Sequence, residues 1–380
     1  MEERRRLLRY LYATIFLTST AYGTVTFLIP VYAEELGASY VELGIIGTVG
    51  STVYTMMTLT SGVLLDKFER VRFYLLFCGL GVVIVGLFCL TSSVSQVVLV
   101  RGILGVVAAG FWVTASTLIA DVSPPDLLTQ SIGRYNLSWI AGFVVGPYLG
   151  GIVSEVLGFQ WLFASLSLIN LFSMLVIWAR ISSSISLRNE GDSAIFDLSR
   201  IKHLSSAYLT LFPFSILLGI YMAIIPGHMS ALGLTSSFIG LLLTTTNAVR
   251  GIGFLNVERF VRWGTRRSIW SASILLFAAF STLAFSDRAL EFLQPMVLYG
   301  IAAGIMTPVI LDYIAHGTPS GSLGIAMGLH EGVYGLGMSL GPIVGGAIAE
   351  QFQPMTLYLL LSVVSLLIIP LSLGLKVEQT

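Results

Sequence analysis

Long apolar stretches alternate with short polar junctions along the whole chain. Cutting at the junctions leaves segments near residues 8–35, 41–65, 73–92, 96–120, 129–155, 159–180, 205–229, 236–258, 267–286, 290–316, 321–350 and 355–375. Each reaches the roughly 20 residues that a helix needs to cross the hydrocarbon core of a bilayer. One junction is much longer than the others, running from Ile181 to His203 (ISSSISLRNEGDSAIFDLSRIKH). It divides the spans six and six. The expected fold is an all-α membrane protein of twelve transmembrane helices, with a six-helix bundle over residues 1–180, a cytoplasmic linker over 181–203 and a second bundle over 204–380.

The two halves repeat each other. The pattern G-x-x-x-G-P-x-x-G-G, with Gly142, Gly146, Pro147 and Gly151 in span 5, returns as Gly337, Gly341, Pro342 and Gly346 in span 11, 195 residues later. A proline removes a helix hydrogen bond, and small residues let neighbouring backbones approach, so both copies read as packing devices inside helices. Pro30, Gly37, Gly44 and Thr48 match Pro226, Gly233, Gly240 and Thr244 at an offset of 196, and Glu155 matches Glu350 at 195. Two six-span repeats in parallel orientation, related by a pseudo-two-fold axis, are the plan of a transporter whose halves rock around a central site.

Composition removes the soluble alternatives. The 380 residues are 55% hydrophobic and only 11% charged, with a mean hydropathy of +0.88. Such a chain lives in a membrane. The formal net charge of zero supplies no argument for a nucleic-acid partner. Basic residues cluster on one side of the twelve-span plan, from Arg4, Arg5, Arg6 and Arg9 through Lys67, Arg70, Arg72, Arg180 and Arg200 to Arg266 and Arg267, and Arg288 alone lies on the other. The positive-inside rule then puts both termini and the linker in the cytoplasm of a plasma or inner membrane. The basic start Met1–Arg9 leads into a long apolar run with no small-residue cleavage site, so it reads as an uncleaved first span. Cys78 and Cys89 are about 16 Å apart along one helix, too far for a disulfide, and no metal framework is expected. No nucleotide-binding G-x-x-x-x-G-K-[ST] loop and no serine, histidine and acid arrangement occurs. The expectation is a transporter rather than an enzyme, without a cofactor, driven by an ion or substrate gradient.

Three features resemble the major facilitator superfamily. The junction after span 2, Gly62-Val-Leu-Leu-Asp66-Lys67-Phe-Glu-Arg70-Val-Arg72, is similar to the family's cytoplasmic loop motif G-x-L-x-D-R-x-G-R-x. Arg101 with Gly105 in span 4 resembles its R-x-x-x-G element, and the span 5 pattern resembles the motif associated with drug–proton antiporters. Lys67 and Glu69 depart from the loop motif, and the second-half stretch from Glu258 to Arg267 lacks an acid matching Asp66. The resemblance implies that Asp66, Lys67, Arg70, Arg72 and Asp121 act as an inner gate, together with the glycine–proline residues Gly142, Gly146, Pro147, Gly151, Gly341 and Pro342. The same charges also fit a solvated loop that fixes topology.

Charges that break the repeat are the pointers to function, because the shared scaffold cancels. Arg101 matches Met296, Asp312 matches Thr117, Glu331 matches Asn136, and Arg250 matches Tyr54. Ionisable groups inside spans are costly to bury unless paired or wetted. Glu331 lies about 16 Å deep, where a carboxylate can take and release a transported proton; the alternative is a permanent Arg250–Glu331 ion pair gluing spans 8 and 11. Arg101 is read as a capture site for a substrate anion, as a modulator of the proton site, or as a partner for carbonyls freed near Pro147. Asp312 either carries protons or meets water near a helix end. His330 reads as a packed, hydrogen-bonded residue. Tyr22, Trp112, Asn136, Trp139, Tyr221, Asn247, Tyr299 and Tyr334 are polar-tipped candidates for a substrate cavity, whose aromatic walls suit an amphipathic molecule. The expected activity is proton-coupled export of a small amphipathic molecule. Symport or uniport of a small polar metabolite, and a transporter-like membrane sensor or lipid-handling protein, are the alternatives. Membrane lipids and a small-molecule substrate are the expected partners, with the chain a monomer.

Overall fold

The computed structural model describes residues 2–65, 69–124, 127–180, 198–319 and 322–375, and among these the regular structure is helical throughout. Most of the expected linker, residues 181–197, lies outside the described residues. The first half supplies α1 (Glu2–Glu35), α2 (Tyr40–Leu65), α3 (Arg70–Leu87), α4 (Val94–Val122), α5 (Leu128–Leu157) and α6 (Phe159–Arg180). The second half supplies α7 (Ser205–Ala223), α8 (Ile225–Ala231), α9 (Ser236–Leu255), α10 (Val257–Trp263), α11 (Thr265–Leu283), α12 (Leu293–Gly317), α13 (Leu323–Leu366) and α14 (Ile368–Ser372).

Each expected span maps onto this series. The seventh is broken at Ile224, just before Pro226, so that α7 and α8 share it. The eleventh and twelfth run together as α13, interrupted at Gln353, where φ is 73° and ψ is 154°. Among the described residues ten stretches are long and apolar enough to cross a membrane; the last, Gly324–Ser372, holds two of the expected spans. The ninth expected span is not among the ten, because α11 opens on Arg266 and Arg267 and carries several hydroxyl residues.

Two compact units emerge. Unit 1 comprises Met1–Gly37, Val49–Asp192 and Thr235–Thr244; unit 2 comprises Ala38–Thr48, Ser193–Leu234 and Thr245–Thr380. In unit 1, α1 packs along α5 and α6, and α3 lies against α4 and α6. Hydroxyls tie these helices together: Thr18 Oγ1 lies 3.0 Å from Ser173 Oγ, and the Tyr32 hydroxyl donates to the Thr91 carbonyl at 2.6 Å. In unit 2, α7 packs along α13, and α11 lies against α12 and α13. Ser273 donates to the Ser365 carbonyl at 2.8 Å.

The repeat seen in the sequence is also a repeat of contacts. The Tyr12 hydroxyl donates to the Ser131 carbonyl at 3.4 Å, and Tyr208 donates to Ala326 at 3.1 Å. Gly37 and Gly233, matched in sequence, both take positive φ, +86° and +81°. Gly158 at +91° is matched by Gln353 at +73°, so the same turn is made once with glycine and once without.

Candidate functional site

The glycine–proline pattern is used in two ways within each unit. In unit 1, Gly142 and Gly146 face the α1 backbone around Ser19 and Thr20, where a side chain has no room. Pro147 and Gly151 instead meet residues 235–244 of α9: the Pro147 carbonyl faces Gly240, and Gly151 faces the Ser236 carbonyl. In unit 2, Gly337 and Gly341 lie on Ser215 and Ile216 of α7, whereas Pro342 and Gly346 meet Gly44 and Tyr40 of α2. Thr244 donates to the Val144 carbonyl at 2.5 Å and accepts from the Tyr148 amide at 3.2 Å, which inserts a hydroxyl into the α5 ladder beside Pro147. Its repeat partner Thr48 donates to the Ser339 carbonyl at 2.7 Å. Glu155 accepts from the Ser237 amide at 3.1 Å, and Glu350 from the Tyr40 amide at 2.8 Å. Sequence comparison paired Thr48 with Thr244 and Glu155 with Glu350 but assigned them no work. Their signal was that polar residues survive in both repeats.

Of the expected inner-gate charges, Asp66 and Lys67 lie outside the described residues. Arg70, buried at the start of α3, forms an ion pair with Asp121 at the end of α4. Arg72 pairs with Glu69 at 2.6 Å on an exposed turn. Both contacts are internal to unit 1.

Inside unit 1 the aromatic candidates form one cluster. Tyr22 meets Phe111 edge-on at 5.6 Å, Trp112 meets Trp139 at 6.5 Å, and Trp139 meets Phe143 at 5.7 Å. The Trp139 indole donates to Asn136 Oδ1 at 3.1 Å. Arg101 lies against Gly50 of α2, where a side chain would strike its guanidinium stem. Among the described residues it makes no hydrogen bond to the carbonyls near Pro147, one of the three readings of Arg101, and the glycine of α2 makes room for it.

Inside unit 2, Tyr221 and Tyr299 stack at 4.2 Å with planes 16° apart. The Arg250 guanidinium lies 5.3 Å over the Phe254 ring and close enough to act electrostatically on Tyr221, Tyr299 and Tyr334. Asn247 is buried one turn away on α9. His330 stacks on Tyr334 at 5.7 Å and places Nδ1 3.2 Å from Glu331 Oε1. The alternative reading, a permanent Arg250–Glu331 ion pair, is not formed. Arg250 turns along its own helix to Phe254, and Glu331, with a side chain 45% exposed, turns to His330. Asp312 is likewise not left to water alone, since it pairs with His316 one turn on at 3.2 Å. Buried polar atoms without a hydrogen-bond partner gather in this region: Arg250 Nε, the Tyr299 hydroxyl and His330 Nε2. Such atoms are costly unless a ligand or water completes them.

Helices that span a membrane, a six-span plan used twice, and polar and aromatic groups gathered inside each copy define a secondary transporter rather than an enzyme. The chain belongs to the Major Facilitator Superfamily, whose family model matches residues 11–206 and again 207–379. It is 23% identical over 375 residues to an uncharacterised transporter of this type from Methanocaldococcus jannaschii, covering 94% of this chain and 95% of that one. It is also 23% identical over 354 residues to the multi-drug resistance efflux pump PmrA of Streptococcus pneumoniae, covering 89% and 88%. The crystal structure of the nucleoside transporter NupG superposes with a TM-score of 0.79 at 15% identity, covering 97% of this chain and 98% of that chain. This likeness establishes the fold of a multi-pass membrane transporter.

Proposed function

We propose that the chain exports a small amphipathic molecule in exchange for protons, by alternating access of bundles over residues 1–180 and 204–380. The observation that carries this reading is Glu331: a half-exposed carboxylate within α13, hydrogen-bonded to His330 and matched in the other repeat by Asn136. A carboxylate inside a span, reached in turn from the two sides by alternating access, is the group that would carry a transported proton. His330 Nδ1, 3.2 Å from Glu331 Oε1, orients that carboxylate. Arg250 supplies a fixed positive charge near the tyrosines, and the Tyr22–Trp112–Trp139 cluster supplies apolar walls for the substrate. That the pneumococcal relative PmrA is an efflux pump supports the outward direction. In this reading Asp66, Lys67, Arg70, Arg72 and Asp121 form the inner gate, both termini are cytoplasmic, and the chain works as a monomer on the proton gradient alone.

Glu331→Gln tests the proposal in proteoliposomes. Transport driven by an imposed pH gradient is lost while substrate binding persists. Undiminished gradient-driven transport would remove Glu331 from the mechanism.

A second reading, symport or uniport of a small polar metabolite, draws on the buried unpartnered atoms around Arg250, Tyr299 and His330, which suit a ligand rich in hydroxyls or carbonyls. A thermal-shift panel of amphipathic cations against nucleosides and sugars, followed by pH-jump flux, separates the two. Stabilisation confined to polar ligands, with no pH-dependent flux, favours the second.

A further inference from the structure

A cleft of about 350 Å³ lies in unit 1 between the starts of α1 and α5. Residues 5, 8, 9 and 12 line it from α1, and residues 130, 131 and 134 line it from α5 together with residue 127, which caps that helix. Both sets have the spacing i, i+3, i+4, i+7, so each is one face of one helix. The two faces present Arg5, Arg9 and Arg134 together with the side-chain donors of Gln130 and Ser131. Tyr12 ties the faces together through the Ser131 carbonyl. Among the described residues none of the three arginines forms an ion pair. Three like charges around one cleft repel one another until an anion joins them.

The repeat shows that helix packing does not need these charges. The same tyrosine-to-carbonyl bond is made in unit 2 by Tyr208 and Ala326. There the positions matching Arg5, Arg9, Gln130 and Arg134 are Ile201, Ser205, Ile325 and Leu329. Topology does not need the arrangement either, because the positive-inside rule counts basic residues and is indifferent to whether they face one another across two helices.

We propose that this cleft is a binding site for a phosphate-bearing anion. Guanidinium groups present paired donors that match phosphate oxygens, and the Gln130 and Ser131 side chains carry further donors at the same cleft. Two sources share this chemistry: the headgroup of an acidic phospholipid, and a soluble phosphate. On the orientation proposed above the lipid would come from the inner leaflet, but the site itself does not depend on that orientation.

The test uses the purified full-length chain in detergent, titrated with dioctanoyl-phosphatidylglycerol, with inorganic phosphate, and with dioctanoylglycerol, which has the same tails and no phosphate. Binding is read from thermal stabilisation. A basic residue near an anionic surface changes affinity about five-fold, so Arg134→Gln weakens phosphatidylglycerol binding by about that factor and Arg9→Gln with Arg134→Gln by about 25-fold. Arg9→Lys with Arg134→Lys keeps the charge while losing the forked donors, so it binds phosphatidylglycerol more weakly than the parent chain and more tightly than the glutamine pair. Arginine-dependent binding of phosphatidylglycerol assigns a lipid source; arginine-dependent binding of inorganic phosphate alone assigns a soluble one. Equal binding by the glutamine variants, equal stabilisation by dioctanoylglycerol, or no binding of either phosphate probe overturns the proposal.

Discussion

Gln353 takes φ 73° and ψ 154°, a region open to glycine and strained for a residue with a Cβ. Its repeat partner Gly158 makes the matching turn at φ +91° without that penalty. Gln353→Gly should therefore stabilise the protein by about 1 kcal/mol, the relief of strain exceeding the entropy that glycine adds to the unfolded chain. A raised thermal midpoint in detergent checks this, and a lowered one would show that the Gln353 side chain contributes more than its backbone costs. Glu331, His330 and Arg250 illustrate a different residue-level point. The positions of Glu331 and Arg250 in the spans were legible as charges without a repeat partner, and His330 as a packed, hydrogen-bonded residue. Their partners were not, because a side chain of several rotatable bonds chooses among neighbours that only packing brings within reach.

The helices show which small and hydroxyl residues were structural. The first two glycines of each glycine–proline pattern hold α5 to α1 and α13 to α7, while the proline carbonyl and last glycine receive the first part of α9 or of α2. Thr244 and Thr48 fasten those contacts with hydroxyl bonds to the Val144 and Ser339 carbonyls. Thr244→Val and Thr48→Val should each lower stability by about 1 kcal/mol, the usual net worth of one such bond. Because the two threonines sit in different compact units, the double variant should lose about the sum, within about 0.5 kcal/mol. Thermal midpoints of the two single variants and the double variant measure both claims, and a strongly non-additive double variant would show coupling between the two sites.

For the molecule as a transporter, the sharpest question concerns the Arg70–Asp121 pair. The Arg70 side chain is only 6% exposed, so removing its partner leaves a nearly buried cation. Asp121→Asn should cost about 1–3 kcal/mol, and Arg70→Gln in the same chain should recover part of that loss. If the pair also belongs to the inner gate, as proposed, Asp121→Asn shifts cysteine labelling toward inward access. A change in stability with unchanged labelling would confine the pair to holding α3 on α4.

Sequence alone determined the span positions, the duplication and the family. The physical reason is that a bilayer demands about 20 apolar residues per crossing and backbone groups satisfied within the helix, constraints written locally in the chain. It also singled out Arg101, Arg250, Asp312 and Glu331 as charges that break the repeat. Tertiary structure decided what those groups touch: Glu331 on His330, Asp312 on His316, Arg70 on Asp121, and Arg250 over Phe254. It decided as well that residues 38–48 pack with the second half and residues 235–244 with the first. Such contacts depend on helix crossings and rotamers set by residues up to 310 positions apart, as between Tyr40 and Glu350. Hydropathy and periodicity, being local measures, carry no record of them.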